Sequence, residues 1–143
     1  MLIGSYQHTV DSKGRIFVPS KLKSDLGDQF VIVRGIAENL MAFPKKEFER
    51  FVAKYQELPI SDIETQDFFR LFFASASMCE TDKQGRVVIP QELRDYAGIT
   101  ENVVIIGMIT RLEIWTPDRF AASSNIEKAK YTKILSNLAE RGV

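Results

Sequence analysis

The 143-residue sequence has one cysteine, Cys79, and one histidine, His8. A lone thiol makes no internal disulfide, which fits a reducing compartment. Two such side chains also fall short of the three or four protein ligands that a zinc site takes, so no metal or other cofactor is expected. No apolar run approaches the about 18 residues that span a bilayer, and the chain does not open on a leader-like segment. The expectation is a soluble, cytoplasmic protein with no membrane partner. A Walker loop and a G-x-G-x-x-G run are both missing, and the acidic residues form no paired-carboxylate constellation. Nothing here points to catalysis or to a small-molecule substrate. Net charge is also missing: 19 basic and 19 acidic side chains cancel, so a polyanion site has to be a local patch.

What the chain does contain is a duplication. The stretch TVDSKGRIFVP at residues 9–19 returns as ETDKQGRVVIP at residues 80–90. A shift of 71 places Asp11, Gly14, Arg15, Pro19, Leu22 and Gly27 on Asp82, Gly85, Arg86, Pro90, Leu93 and Gly98. Six identities in seventeen aligned positions far exceed the roughly one expected of unrelated segments. Ile16/Val87, Val18/Ile89 and Lys23/Arg94 are near-matches. With a small insertion, FVIVRG then meets VVIIGM, and AFPKKEF meets IWTPDRF. The reading is two repeats, at 5–51 and 79–122, joined by linker helices at 52–78 and followed by a C-terminal helix at 123–143.

Within each repeat, strand-like residues flank a short polar turn in which Asp stands first and Gly fourth, the pattern of a type I turn closed by a left-handed glycine. The runs IFV and VVI are apolar at every position, which predicts strands buried on both faces. Pro19 and Pro90 stop these strands, and short helices end at Gly27 and Gly98. Second strand pairs follow at residues 30–33 with 40–43 and at 103–106 with 112–115. Each half thus reads as hairpin, short helix, hairpin: a mainly β, α+β architecture with peripheral helices.

Three more helices are expected. One starts at Pro44 and runs to about residue 58. Another is capped by Ser61 with Glu64, and a third by Ser124 with Glu127. The middle helix carries Phe68, Phe69, Leu71, Phe72 and Phe73 nearly all the way round. That surface either packs across the two repeats or forms part of a subunit interface.

His8 and Cys79 occupy equivalent positions of the two repeats, so a thiol nucleophile with its base is one arrangement the duplication allows. A lone His and a small buried Cys are far more often structural. The better candidates are the duplicated turns. Lys13 and Arg15 on the first, and Lys83 and Arg86 on the second, sit on glycine-tightened tips that bring backbone N–H groups to the surface. Arginine offers a planar fork matched to phosphate or to guanine O6 and N7. The alternative is that Arg15 and Arg86 pair with Asp11 and Asp82 only to lock each turn.

The motifs DSKGRIFVP and DKQGRVVIP, with GSYQHTVD upstream and RLEIWTPDRF downstream, resemble the MraZ proteins of bacteria, grouped with the AbrB and MazE DNA binders. The resemblance covers nearly the whole chain, with a D-x-x-x-R signature at both places. It implies two SpoVT-AbrB-like repeats interlocked in one pseudo-symmetric swapped-hairpin barrel and assembled as a homo-oligomeric ring. It also implies a nucleoid-associated transcriptional regulator, a repressor of the division and cell-wall gene cluster, that binds tandem G-rich promoter repeats in double-stranded DNA. By this likeness Lys13, Arg15, Lys83 and Arg86 contact DNA, while Asp11, Gly14, Asp82 and Gly85 form the turns. An antitoxin-like module of the same fold, with a protein as partner, is the competing reading.

Overall fold

The computed structural model describes residues 1–143. In chain order its elements are β1 (Ser5–Thr9), β2 (Arg15–Phe17), α1 (Lys23–Leu26), β3 (Gln29–Arg34), β4 (Leu40–Pro44), α2 (Lys45–Gln56) and α3 (Ile63–Ser75). There follow β5 (Ser77–Glu80), β6 (Arg86–Val88), α4 (Gln91–Ala97), β7 (Asn102–Gly107), β8 (Leu112–Trp115), α5 (Pro117–Ser124) and α6 (Lys128–Glu140). The fold is α+β, and the strand pairings are antiparallel.

The two repeats exchange arms. After each polar turn only one backbone bond continues the local hairpin, from the N–H of Asp11 to the carbonyl of Arg15 (3.0 Å) and from that of Asp82 to Arg86 (2.8 Å). The arms then part. β1 runs along β7 of the other repeat, with Ser5 opposite Ile106 and Thr9 opposite Asn102, and β5 runs along β3. The strands after the turns pair with each other instead, Ile16 opposite Val87 at the centre of a β2–β6 ribbon. Two further bonds tie each turn to the opposite strand: Val18 N–H to Gly85 C=O and Ile89 N–H to Gly14 C=O, both 2.9 Å. Only β3–β4 and β7–β8 are hairpins within their own repeat, and they meet at β4–β8 in a six-stranded sheet ordered β1-β7-β8-β4-β3-β5.

Ribbon and sheet share one core of 19 buried residues. Its members recur by repeat: Ile16 with Val87, Val18 with Ile89, Leu22 with Leu93, Leu26 with Ala97. Fully burying such a side chain contributes about 1.5–3 kcal/mol, so neither repeat retains this core without the other's strands. The ribbon is not buried on both faces as its apolar run predicts. Ile16 and Val87 point inward, whereas Phe17 and Val88 are 49% and 51% exposed. A two-stranded ribbon laid over a core has one inner face, and alternation sends every second side chain outward.

The phenylalanine helix α3 does not bridge the repeats. Phe72 is buried with Val33 and Phe43, and Phe69 and Phe73 pack there with Phe48 and Phe51. These partners belong to β3, β4 and α2 of the first repeat alone. The other side of the helix stays open, with Phe68 and Leu71 about half exposed. Its cap is Asp62, which accepts from the Thr65 N–H at 3.3 Å, in place of the expected Ser61. Ser124 likewise caps nothing downstream; its hydroxyl donates to the Phe120 carbonyl and completes α5. The helix start at Pro44 and the stops at Gly27 and Gly98 stand where the sequence puts them. α6 buries no residue, and Tyr131, Ile134 and Leu135 lie open on its apolar face.

Candidate nucleic-acid interface

Each turn is built around one aspartate. The Oδ1 atom of Asp11 accepts from the backbone N–H of Lys13 and of Arg15, both at 2.9 Å, and Oδ2 accepts from Arg15 Nε at 2.7 Å. Asp82 repeats the pattern with the N–H groups of Gln84 and Arg86 and with Arg86 Nε, all at 2.9 Å. Gly14 and Gly85 adopt φ of +78° and +81°, where a side chain would be strained. The carboxyl of Asp11 is held down to about 2, chiefly by the Arg15 backbone N–H, which outweighs an opposing desolvation, and further by the Arg15 side chain and the Lys13 N–H. Asp82 is lowered too, first by the Arg86 backbone N–H. Both turns therefore carry ionised carboxylates at neutral pH.

The two readings of the arginines converge in this geometry. Each guanidinium uses Nε to lock its turn, and its Nη nitrogens make no hydrogen bond within the chain. The aspartate consumes one donor and orients the rest of the fork. Such fixation lowers the entropy lost when a phosphate or base edge is engaged.

The ribbon brings the arginines to one surface. Arg15 is opposite Val88 and Phe17 is opposite Arg86, and both pairs lie on the face away from Ile16 and Val87. Arg15 and Arg86 are diagonal neighbours, a relation that in antiparallel sheets spans roughly 7–8 Å. Lys13 and Lys83 stand exposed on the turns at opposite ends.

Two further cations belong to this surface and were not singled out as site residues from the sequence. Arg94 of α4 lies over Gly14, its Cζ 2.5 Å from where a Cβ would stand, and its Nε donates to the Ile89 carbonyl at 2.9 Å. Lys23 of α1 lies over Gly85, with Nζ 2.7 Å from the equivalent point, and has no hydrogen-bond or ion-pair partner. Each repeat thus sends a basic side chain across to the other's turn. The signal was present as the near-match of Lys23 with Arg94, but its meaning depends on the exchange of arms. Lys13, Arg15, Lys23, Lys83, Arg86 and Arg94 make six cations against the two paired carboxylates Asp11 and Asp82, on a chain whose charges sum to zero.

His8 and Cys79 do not form a dyad. They stand on β1 and β5, the two edge strands of the six-stranded sheet, opposite Val103 and Phe30 respectively. The thiol sits in the core, donates to the Ser77 carbonyl at 3.5 Å, and is pushed up by burial. His8 lines an open groove with Gln7, Thr9, Asn102 and Pro117.

A chain whose two repeats exchange hairpin arms, close over one core and present paired Asp–Arg turns on a shared ribbon defines a duplicated swapped-hairpin class of protein. The sequence model of the family described as "MraZ protein, putative antitoxin-like" matches it twice, at residues 1–71 and 72–141. The chain belongs to the MraZ family. It is similar over its full length to proteins named transcriptional regulator MraZ. That of Caldicellulosiruptor bescii is 44% identical over 143 residues, covering 100% of both chains. Those of Carboxydothermus hydrogenoformans and Acetivibrio thermocellus are 40% identical over 140 residues (98% of both) and 41% identical over 143 (100% of both).

Proposed function

We propose that the protein is a DNA-binding transcriptional regulator, a repressor of the division and cell-wall gene cluster, that engages tandem G-rich promoter repeats through the ribbon bearing Arg15 and Arg86. The carrying observation is the pair of arginine forks, each fixed by its aspartate through Nε with the Nη nitrogens free, on one outward face. A two-stranded ribbon fits the major groove, and an arginine fork matches guanine O6 and N7. The relatives' shared name, transcriptional regulator, supports the same reading. A DNA partner would place the protein at the nucleoid, and no helix is long and apolar enough to cross a membrane.

A protomer with six cations makes few phosphate contacts, so its solitary affinity at physiological salt is modest. Linking several such sites raises avidity by about 10² to 10⁴ when the DNA repeats match their spacing. The open sides of α3 and α6 support assembly, because apolar helix faces left in water are suited to burial between copies. A closed ring built from head-to-tail contacts follows as the proposed form.

The test is a mobility shift with the duplex immediately upstream of the protein's own gene, across a salt series. Binding whose logarithm falls linearly with log salt, and which weakens when the repeats are respaced by half a helical turn, is the expected result. Absence of binding at low salt, or equal affinity for random duplex, would refute the regulator.

A further inference from the structure

We infer that Phe17 and Val88 form an apolar reading element on the ribbon, contacting thymine methyl groups in the major groove between the two arginines. The inference rests on the DNA-binding reading above and assigns it a specificity determinant.

Phe17 and Val88 are equivalent positions of the two repeats, and both point outward at 49% and 51% exposure. A single exposed hydrophobic residue calls for no explanation. Here the apolar choice is made twice at the same outward site, on strands only three residues long, directly opposite Arg86 and Arg15. The four side chains form a checkerboard in which each arginine is flanked by an apolar neighbour. The core side of the ribbon is already filled by Ile16 and Val87, while Phe17 and Val88 stay about half exposed on the outer side.

Charge selects the occupant. The surface around Phe17 and Val88 carries the cations described above, and the turn carboxylates Asp11 and Asp82 are both tied to arginine, so an anionic partner is favoured over an acid-poor protein surface. Within a DNA groove the apolar feature available to such side chains is the C5-methyl of thymine, which projects into the major groove and which phenylalanine is suited to contact. Arginine forks on guanine with apolar side chains on adjacent thymine would make the ribbon discriminate among base pairs rather than grip backbone alone.

The test uses the full-length protein and the upstream duplex in two forms, one normal and one with deoxyuridine replacing thymidine, which removes the methyl and leaves pairing intact. The chain as it stands should bind the uridine duplex more weakly, by about fourfold for each methyl buried. Phe17→Ser, and separately Val88→Ser as a second variant, should shrink that ratio towards one while retaining salt-dependent binding. Because any change in DNA shape persists in the variants, only a methyl contact abolishes the ratio. Equal binding of both duplexes by the unmodified chain overturns the inference, as does a thymine preference that survives in both variants. A Phe17→Ser chain that keeps the preference but loses its multimeric state would assign the face to contacts between copies instead. If neither duplex is bound at all, the regulator reading fails and this inference with it.

Discussion

Arg94 lies across Gly14 with its guanidinium where a Cβ would have to go, and it is pinned there by its Nε bond to the Ile89 carbonyl. Gly14→Ala therefore combines a left-handed backbone, worth about 1–2 kcal/mol, with displacement of a tethered side chain. Gly85→Ala meets the same backbone strain at φ +81° but only the flexible end of Lys23. Chemical denaturation should show both variants destabilised, Gly14→Ala the more so. An equal loss in the two variants would show that Arg94 adds nothing to the strain at the turn.

Arg15→Lys should be as damaging to DNA binding as Arg15→Ala, because lysine has no Nε to fix and no fork to present. Loss of one guanine contact costs about 1–3 kcal/mol and relaxes base preference, whereas loss of a phosphate contact reduces the salt slope by about one. Titration of labelled duplex distinguishes these. Lys45→Ala, at the start of α2 outside the site, should leave affinity unchanged.

Asp11 titrates at about 2 in the folded protein, below the about 3.9 of a free aspartate. A depressed folded value means its contribution to stability is complete above the unfolded value and is lost as pH falls between the two and through the lower one. The carboxyl carbon of Asp11 followed by NMR should thus show its midpoint near 2. In Arg15→Ala it should move upward. A midpoint near 4 in the parent chain would contradict the turn geometry.

The thiol of Cys79 is core-buried and raised by burial, so it should react with thiol reagents at pH 8 only as the protein opens. Denaturant should release the full reaction. Cys79→Ser should bind DNA as the parent does, with a modest stability loss.

Ile134→Asp with Leu135→Asp places charge on α6, which buries no side chain in the protomer. Native mass spectrometry should show the proposed multimer for the parent and a smaller species for the variant, with thermal melting of the protomer fold little changed. Persistence of the parent multimer would exclude this face from assembly. The parallel Phe68→Asp on α3 tests the other open surface.

The Asp-x-x-Gly-Arg turn was legible from residue types because its hydrogen bonds close within five residues: Asp11 to Lys13 and Arg15, Asp82 to Gln84 and Arg86. The same holds for the left-handed stop at Gly98. Where two polar residues lie side by side, local competition decides which of them caps the helix. Ser61 and Asp62 both fit a cap, and the carboxylate of Asp62 took it.

The duplication, the strands, the turns and the paired basic residues were therefore properties of the sequence alone, since each rests on periodicity or on bonds between near neighbours. Only the tertiary structure decided which strand lies beside which. Residue pattern states that β1 and β2 need partners, but their amides are satisfied equally well by their own repeat or by its copy. The choice of the copy comes from the shared core that Ile16, Val87 and their equivalents can fill only together. That choice turns Phe17 and Val88 outward. It also joins Arg15 to Arg86 on one face and carries Lys23 to Gly85 and Arg94 to Gly14, relationships that depend on side-chain placement across the exchange rather than on spacing along the chain.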